Sequence, residues 1–225
     1  MTRFPPRHEV PAFSAFASLL RMTTKYGFSS VRNQLVKDLE GAYPTKWDDY
    51  RSAKVLGEEI FGSPRPHPNA VLNLFEEQEV KFAIPFAAYR ASIGGFKALI
   101  SDAPGTVLLR RTLATTIYGI HILQSMAAHS ARMVAYRGDL WVCTEKTCVL
   151  GADTTPIEGR MEAVGKIYDA LIDQSKGGVL STPRLEHLLC PKCAKRVEAI
   201  HEAYSSACWE KLGLVFNITD GLDDL

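Results

Sequence analysis

Residues Thr112 to Ala131 read Thr-Leu-Ala-Thr-Thr-Ile-Tyr-Gly-Ile-His-Ile-Leu-Gln-Ser-Met-Ala-Ala-His-Ser-Ala, and no longer stretch of the chain is free of Asp, Glu, Lys and Arg. Its length raises the question of a membrane span, since about 20 predominantly apolar residues cross a bilayer as a helix. Thr112, Thr115, Thr116, His121, Gln124, Ser125 and His129 break the apolar character. Leu113, Ile117, Ile120 and Ala127 meanwhile recur at the spacing of a helix with one apolar face. The stretch predicts a long amphipathic helix packed into a protein core, with no membrane partner.

The same periodicity extends outward in both directions and predicts a mostly α, multi-helical fold. Toward the N-terminus, Pro11 to Tyr26 carries Phe13, Phe16, Leu19, Leu20 and Met22, with Gly27 placed as a left-handed cap. A second helix is expected to start at Ser29 as N-cap, carry Val31, Leu35 and Leu39, and end at Gly41. Thr45 is placed to cap a third, with Trp47, Tyr50, Val55, Leu56 and Ile60 inside, before Gly62-Ser-Pro-Arg-Pro-His-Pro68 forces an extended connector. Shorter helices follow over Asn69–Glu79 and Pro85–Ile93, the latter stopped by Gly94-Gly95, and Ser101 to Gly105 reads as a turn. Beyond the long helix, Gly138 to Cys148 reads as a loop or at most a short β-hairpin. Pro156 opens a helix with Met161, Val164, Ile167 and Leu171, ended by Gly177-Gly178. A last helix runs from Cys190-Pro191 to about Val215 with Val197, Ile200, Tyr204, Ala207 and Leu214 as its inner face.

Composition narrows the class. With 225 residues, 46% hydrophobic and 23% charged, the chain can bury a core and is neither disordered nor collagenous. A net charge of +1 supplies no general attraction to nucleic acid or to an anionic membrane. Met1 to Pro11 lacks the apolar stretch of a secretory signal, so an intracellular location, cytoplasmic or nuclear, is expected, and the Asn217-Ile-Thr219 tripeptide would meet no glycosyl transferase.

Four of the five cysteines form two close pairs, Cys143-x4-Cys148 and Cys190-x2-Cys193. Each pair is spaced for a tight turn to aim both sulfurs at one ion, and zinc takes four such ligands in a tetrahedron. Cys-Pro-Lys-Cys also opens a helix, whose free backbone N–H groups favour thiolates, with Lys192 and Lys195 adding positive charge. A structural zinc held by Cys143, Cys148, Cys190 and Cys193 is the leading expectation. Unligated buried cysteines, a redox Cys-x-x-Cys and two disulfides are the other readings of the same residues. His187 and His201 are reserve ligands, although His201 lies about 12 Å along the helix from Cys193 at the standard rise. Cys208 is expected to pack.

Catalytic patterns fail on inspection. His201-Glu202-Ala-Tyr-Ser205 has serine where a zinc-protease helix needs its second histidine. The adjacent acids Asp48-Asp49, Glu58-Glu59 and Glu76-Glu77 diverge on a helix and suit a solvated face, and His121 and His129 lie two turns apart. Arg110-Arg111 and Lys192 to Arg196 are too short, and too poor in aromatic neighbours, for a nucleic-acid site. No enzyme is expected.

Phe16-Ala-Ser-Leu-Leu-Arg-Met-Thr-Thr-Lys-Tyr-Gly-Phe28, followed by Ser29-Ser-Val-Arg-Asn-Gln-Leu-Val36, resembles the closing helices of BTB/POZ domains, where a helix ending in Lys-Tyr leads into a short second helix. Ala42-Tyr-Pro-Thr-Lys-Trp47, Pro85-Phe-Ala-Ala-Tyr-Arg90 and the spaced cysteines extend the resemblance to the C-terminal region of fungal BTB-domain proteins, from about Phe13 to Phe216. It implies that residues 1–43 are a BTB remnant and 44–225 a helical extension with the zinc site. The sheet and early helices of that family have no counterpart before Phe13, so the expectation is an N-terminally truncated, non-catalytic protein-protein interaction module. A substrate adaptor for a cullin ubiquitin ligase is the alternative, and an uncharacterised helical enzyme a third. The partner's identity and the oligomeric state are not implied.

Overall fold

The computed structural model describes residues 12–52, 61, 64–100, 105–136, 143, 148, 159, 161–162, 165–166, 168–169, 180 and 189–216. Of these, 78% are helical. The named helices are α1 (Phe13–Lys25), α2 (Ser29–Glu40), α3 (Trp47–Ser52), α4 (Pro68–Glu77), α5 (Ile84–Ile93), α6 (Gly95–Leu99), α7 (Arg110–Tyr136) and α8 (Pro191–Phe216). The mostly α expectation therefore holds. The expected hairpin falls outside the described residues except at Cys143, an isolated β-bridge position, and Cys148. Of the Pro156 helix the described positions are helical, with Glu162 and Lys166 paired at 2.6 Å. Val55, Leu56, Ile60 and the Gly177-Gly178 stop also lie outside the described residues. The chain divides into two compact units, Met1–Ile117 with Leu212–Leu225, and Tyr118–Lys211.

In the first unit, α1 buries Phe16, Ala17, Leu20 and Thr23 on one face. It ends as its sequence predicts: the Phe28 N–H donates to the Thr23 carbonyl at 2.9 Å, the Gly27 N–H to Thr24 at 3.4 Å, and Gly27 takes φ 70. This paired closure satisfies carbonyls left over at a helix end and requires a left-handed residue. The same closure ends α4 through Val80 to Phe75 at 2.8 Å and Glu79 to Glu76 at 3.2 Å, but the left-handed position is Glu79, at φ 51. A side chain with a Cβ is strained in that region.

Several helix starts differ from expectation: α3 begins at Trp47 directly after Lys46 rather than on a Thr45 cap, and α5 begins at Ile84. Ser29 is the first helical residue of α2 rather than its cap, which is Phe28 and has no side-chain bond to the helix. α4 starts at Pro68, whose missing N–H is harmless at a first position, and the His67 Nδ1 accepts the Asn69 N–H at 3.2 Å. Gly94-Gly95 stops α5 at Ile93 as expected, and a separate short helix, α6, starts at once at Gly95, φ 71; a Cβ on Gly94 would lie 2.5 Å from the Ala98 Cβ. Glycine is needed there because the chain doubles tightly onto α6.

Aromatic rings fill the centre of this unit. Tyr43 meets Phe75 edge-on at 4.7 Å and Phe86 at 5.9 Å, and Tyr50 meets Phe86 at 5.6 Å. Leu20, Leu39, Leu72, Leu74 and Leu99 are fully buried around them. Polar ties fix the periphery. Arg21 donates to both carboxylate oxygens of Glu77 at 2.6–3.0 Å, and Arg32 to the Gln78 carbonyl at 2.8 Å. Asn69 is completely buried, and its Nδ2 reaches the carbonyls of Ala98, Leu99 and Thr106 at 3.1, 3.2 and 3.0 Å. Asn73, one turn on, donates to Val107 at 2.9 Å and Gly105 at 3.4 Å. These two amides bind the end of α6 and the approach to α7 onto α4.

The long helix α7 forms as expected but turns a different face inward. Ile117 is exposed, Leu113 and Ile120 are half-buried, and only Ala127 of the predicted stripe is buried. The inner face is Thr112, Thr116, Gly119, Leu123, Ala127, Ser130 and Ala131. Thr116 donates back to the Thr112 carbonyl at 2.7 Å, and the Thr112 hydroxyl bonds to the Glu76 carboxylate, so those hydroxyls enter the interior with partners.

In the second unit, α7 and α8 meet through Met126 and Cys208, sulfurs 3.7 Å apart, and through the rings of His129 and Tyr204 at 5.7 Å. The inner face of α8 is again shifted: Val197 is buried as expected, but Ile200, Tyr204 and Ala207 are half-buried and Leu214 is exposed. Cys193, Val197, His201, Ser205 and Cys208 carry the burial instead, one turn apart. Among the described residues no helix is long and apolar enough to cross a membrane.

Candidate metal centre

α8 begins at Pro191, so Cys190 caps it and Cys193 sits in its first turn. The first turn closes normally, Ala194 N–H to the Cys190 carbonyl at 2.9 Å. This places both sulfurs beside the unpaired N–H groups of the helix start. The Cys193 N–H bonds to the Cys190 sulfur and is the main reason that thiol is lowered to about 7. Burial, and next the neighbouring Cys143, push the Cys193 thiol up. Cys190 is thus prepared to ionise, and Cys193 resists joining it without a cation.

Cys143 and Cys148 bring the remaining sulfurs. All four sulfurs lie within 4.8 Å of one another, and Cys143 and Cys190 approach to 3.4 Å. Metal–sulfur bonds of about 2.3 Å in a tetrahedron put sulfurs about 3.8 Å apart, within this range. All five cysteines are free thiols. The 3.4 Å contact is far beyond a disulfide bond of about 2.05 Å. Cys148, Cys190 and Cys193 are buried and Cys143 half-buried, which places the set in the low-dielectric surroundings where thiolate–metal bonds hold. These four cysteines could hold a metal ion.

Other residues singled out by sequence go elsewhere. His201 is buried with its Nε2 3.2 Å from the Ser205 hydroxyl, and it is not part of the cysteine cluster. Cys208 packs on Met126. His187 lies outside the described residues, and His121 and His129 are exposed. Met126, Ser130, His201, Tyr204, Ser205 and Cys208 enclose a cavity of about 10 Å³, room on the order of one water. Sequence reasoning did not single out Asn69 and Asn73; their only signal was a pair of asparagines one turn apart in an apolar helix.

Fold and site define a mostly helical protein with a four-cysteine cluster fit for a metal ion. No protein-family model, no curated protein and no solved structure matches the chain. The likeness to BTB proteins therefore rests on the motifs quoted above.

Proposed function

We propose that this protein is a non-catalytic helical interaction module of BTB type, whose four paired cysteines hold one structural zinc ion. The convergence of the four sulfurs carries this reading. Four thiolates complete zinc's coordination and leave no position for a water or substrate, which makes such a site a clip rather than a catalyst. Cys190 and Cys193 would contribute from the start of α8, and Cys143 and Cys148 from the sequence that follows α7. The ion would supply cross-linking energy that short segments lack on their own. The α1–α2 corner supports the BTB element: α1 ends in Lys25-Tyr26, closes at Gly27 and leads directly into a short α2.

Native mass spectrometry of the purified chain tests the proposal. The expected mass is that of the chain plus one zinc, with the four thiols protected from alkylation until a chelator is added. A folded chain without metal and with freely alkylated cysteines would overturn the zinc assignment.

A further inference from the structure

Between α6 and α7 the fold holds large apolar side chains out toward solvent. Phe96 is 60% exposed, Ile100 48%, Val107 63% and Leu109 70%. All four lie in the stretch from α6 to the start of α7 whose two ends are tied to α4. The Asn69 Nδ2 touches the carbonyls of both Leu99 and Thr106, so the backbone leading into Ile100 and into Val107 is brought into one neighbourhood. Leu109, Leu113 and Ile117 follow at one-turn spacing and carry the surface along α7.

We infer that this surface, Phe96, Ile100, Val107, Leu109, Leu113 and Ile117, docks an acidic segment of a partner protein that anchors itself through large apolar side chains. The inference rests on the reading of the chain as an interaction module and names the partner chemistry for it. Three observations carry it. First, α7 turns its threonine and glycine face inward and leaves Leu113 half-buried and Ile117 exposed, the reverse of the arrangement burial alone would favour. Second, both described ends of the junction are tied to α4: Asn69 and Asn73 donate to Ala98, Leu99, Gly105, Thr106 and Val107, although the Oδ1 of each is buried without a hydrogen-bond partner. Binding residues often sit on connections held in place by the scaffold beneath them. Third, charge selects the occupant. Lys97, Arg110 and Arg111 flank the apolar residues, with Asp102 the one acid in the Phe96–Ile117 sequence. A second copy of the surface would bring like charges together, whereas an acidic segment complements them.

Panning the full-length protein against a random 16-residue peptide library displayed on phage tests this. Enriched peptides are expected to combine Asp and Glu with Leu, Ile, Phe or Trp. The best of them, synthesised with a fluorophore, should lose about tenfold in affinity on the double substitution Val107→Ser, Leu109→Ser, and weaken on Arg110→Glu and in added salt. Met22→Ser, at an exposed apolar residue of α1, should leave binding unchanged. All substituted residues are exposed, and unchanged circular dichroism and urea midpoints verify that the variants fold. Acidic peptides whose binding ignores the Val107 and Leu109 changes would overturn this surface while leaving an interaction module standing. Absence of any enriched peptide would count against both. Enrichment of basic peptides, a concentration-dependent dimer abolished by Leu109→Ser, or sedimentation with phosphatidylserine vesicles through these same residues would each overturn the acidic-segment assignment.

Discussion

Asn69→Ala removes the amide that joins α4 to the α6–α7 junction, and its cost can be worked from the contacts. The lost Nδ2 serves the carbonyls of Ala98, Leu99 and Thr106. The bonds to Leu99 and Thr106 are buried, while that to Ala98 is partly open to water. Losing the two buried bonds costs about 1–3 kcal/mol each, and the Ala98 carbonyl can turn to solvent at little expense. Against this, the variant also removes the Oδ1, which is buried without a partner, and so recovers on the order of 1 kcal/mol. The net expectation is a loss of about 1–5 kcal/mol. Urea denaturation followed by circular dichroism should show a lower midpoint with an unchanged slope. Hydrogen exchange should accelerate first at α6 and the start of α7. Asn73→Ala, whose bonds are exposed, should lose about 1 kcal/mol or less. If Asn69→Ala stays within about 0.5 kcal/mol of the parent, the amide does not hold the junction and the reasoning is wrong.

Other outcomes follow from the same geometry. Glu79→Gly relieves the left-handed position at the end of α4 and should raise stability by about 0.5–1 kcal/mol after the entropy of the added glycine is counted, while Gly27→Ala should lower it by about 1 kcal/mol; thermal melts of both decide the sign. Arg21→Ala should cost less than about 1 kcal/mol, because both partners are half exposed. The Arg21 guanidinium lowers the Glu77 carboxyl below its ordinary 4.5, so the difference from the parent should be full above that pH and shrink as pH falls below it; a difference that grew in acid would contradict the pairing. Cys193→Ser should abolish retention of metal through gel filtration, whereas Cys208→Ser should retain it and lose about 1 kcal/mol for burying a hydroxyl beside Met126; equal metal loss in both would remove the distinction between ligand and packing cysteine.

Much of the fold was legible because helix periodicity and helix ends leave local marks. Gly27 announced the closure of α1, and the prolines before α4 announced its start, since both act through backbone geometry within a few residues. The inward face of α7 was not legible. Hydrophobicity pointed to Leu113, Ile117 and Ile120, but the buried face is chosen by partners far away in sequence, such as Glu76 for Thr112. Gly94-Gly95 marked the end of α5 as expected, but not that a short helix would start again at Gly95, which depends on packing beyond the glycine pair. Glu79 carries no sign in sequence of its left-handed conformation, because any residue can be held there by the bonds around it. The cysteine cluster was legible from spacing alone, since each pair needs only a local turn. That the pairs face each other required the whole second unit.

The central claim is that four thiolates hold one zinc ion, and X-ray absorption at the zinc edge of the protein as purified tests it most directly. The expected spectrum is a single shell of four sulfurs at about 2.3 Å, with no nitrogen or oxygen contribution. A shell containing a nitrogen or oxygen ligand, or a folded protein with no zinc to absorb, would contradict it.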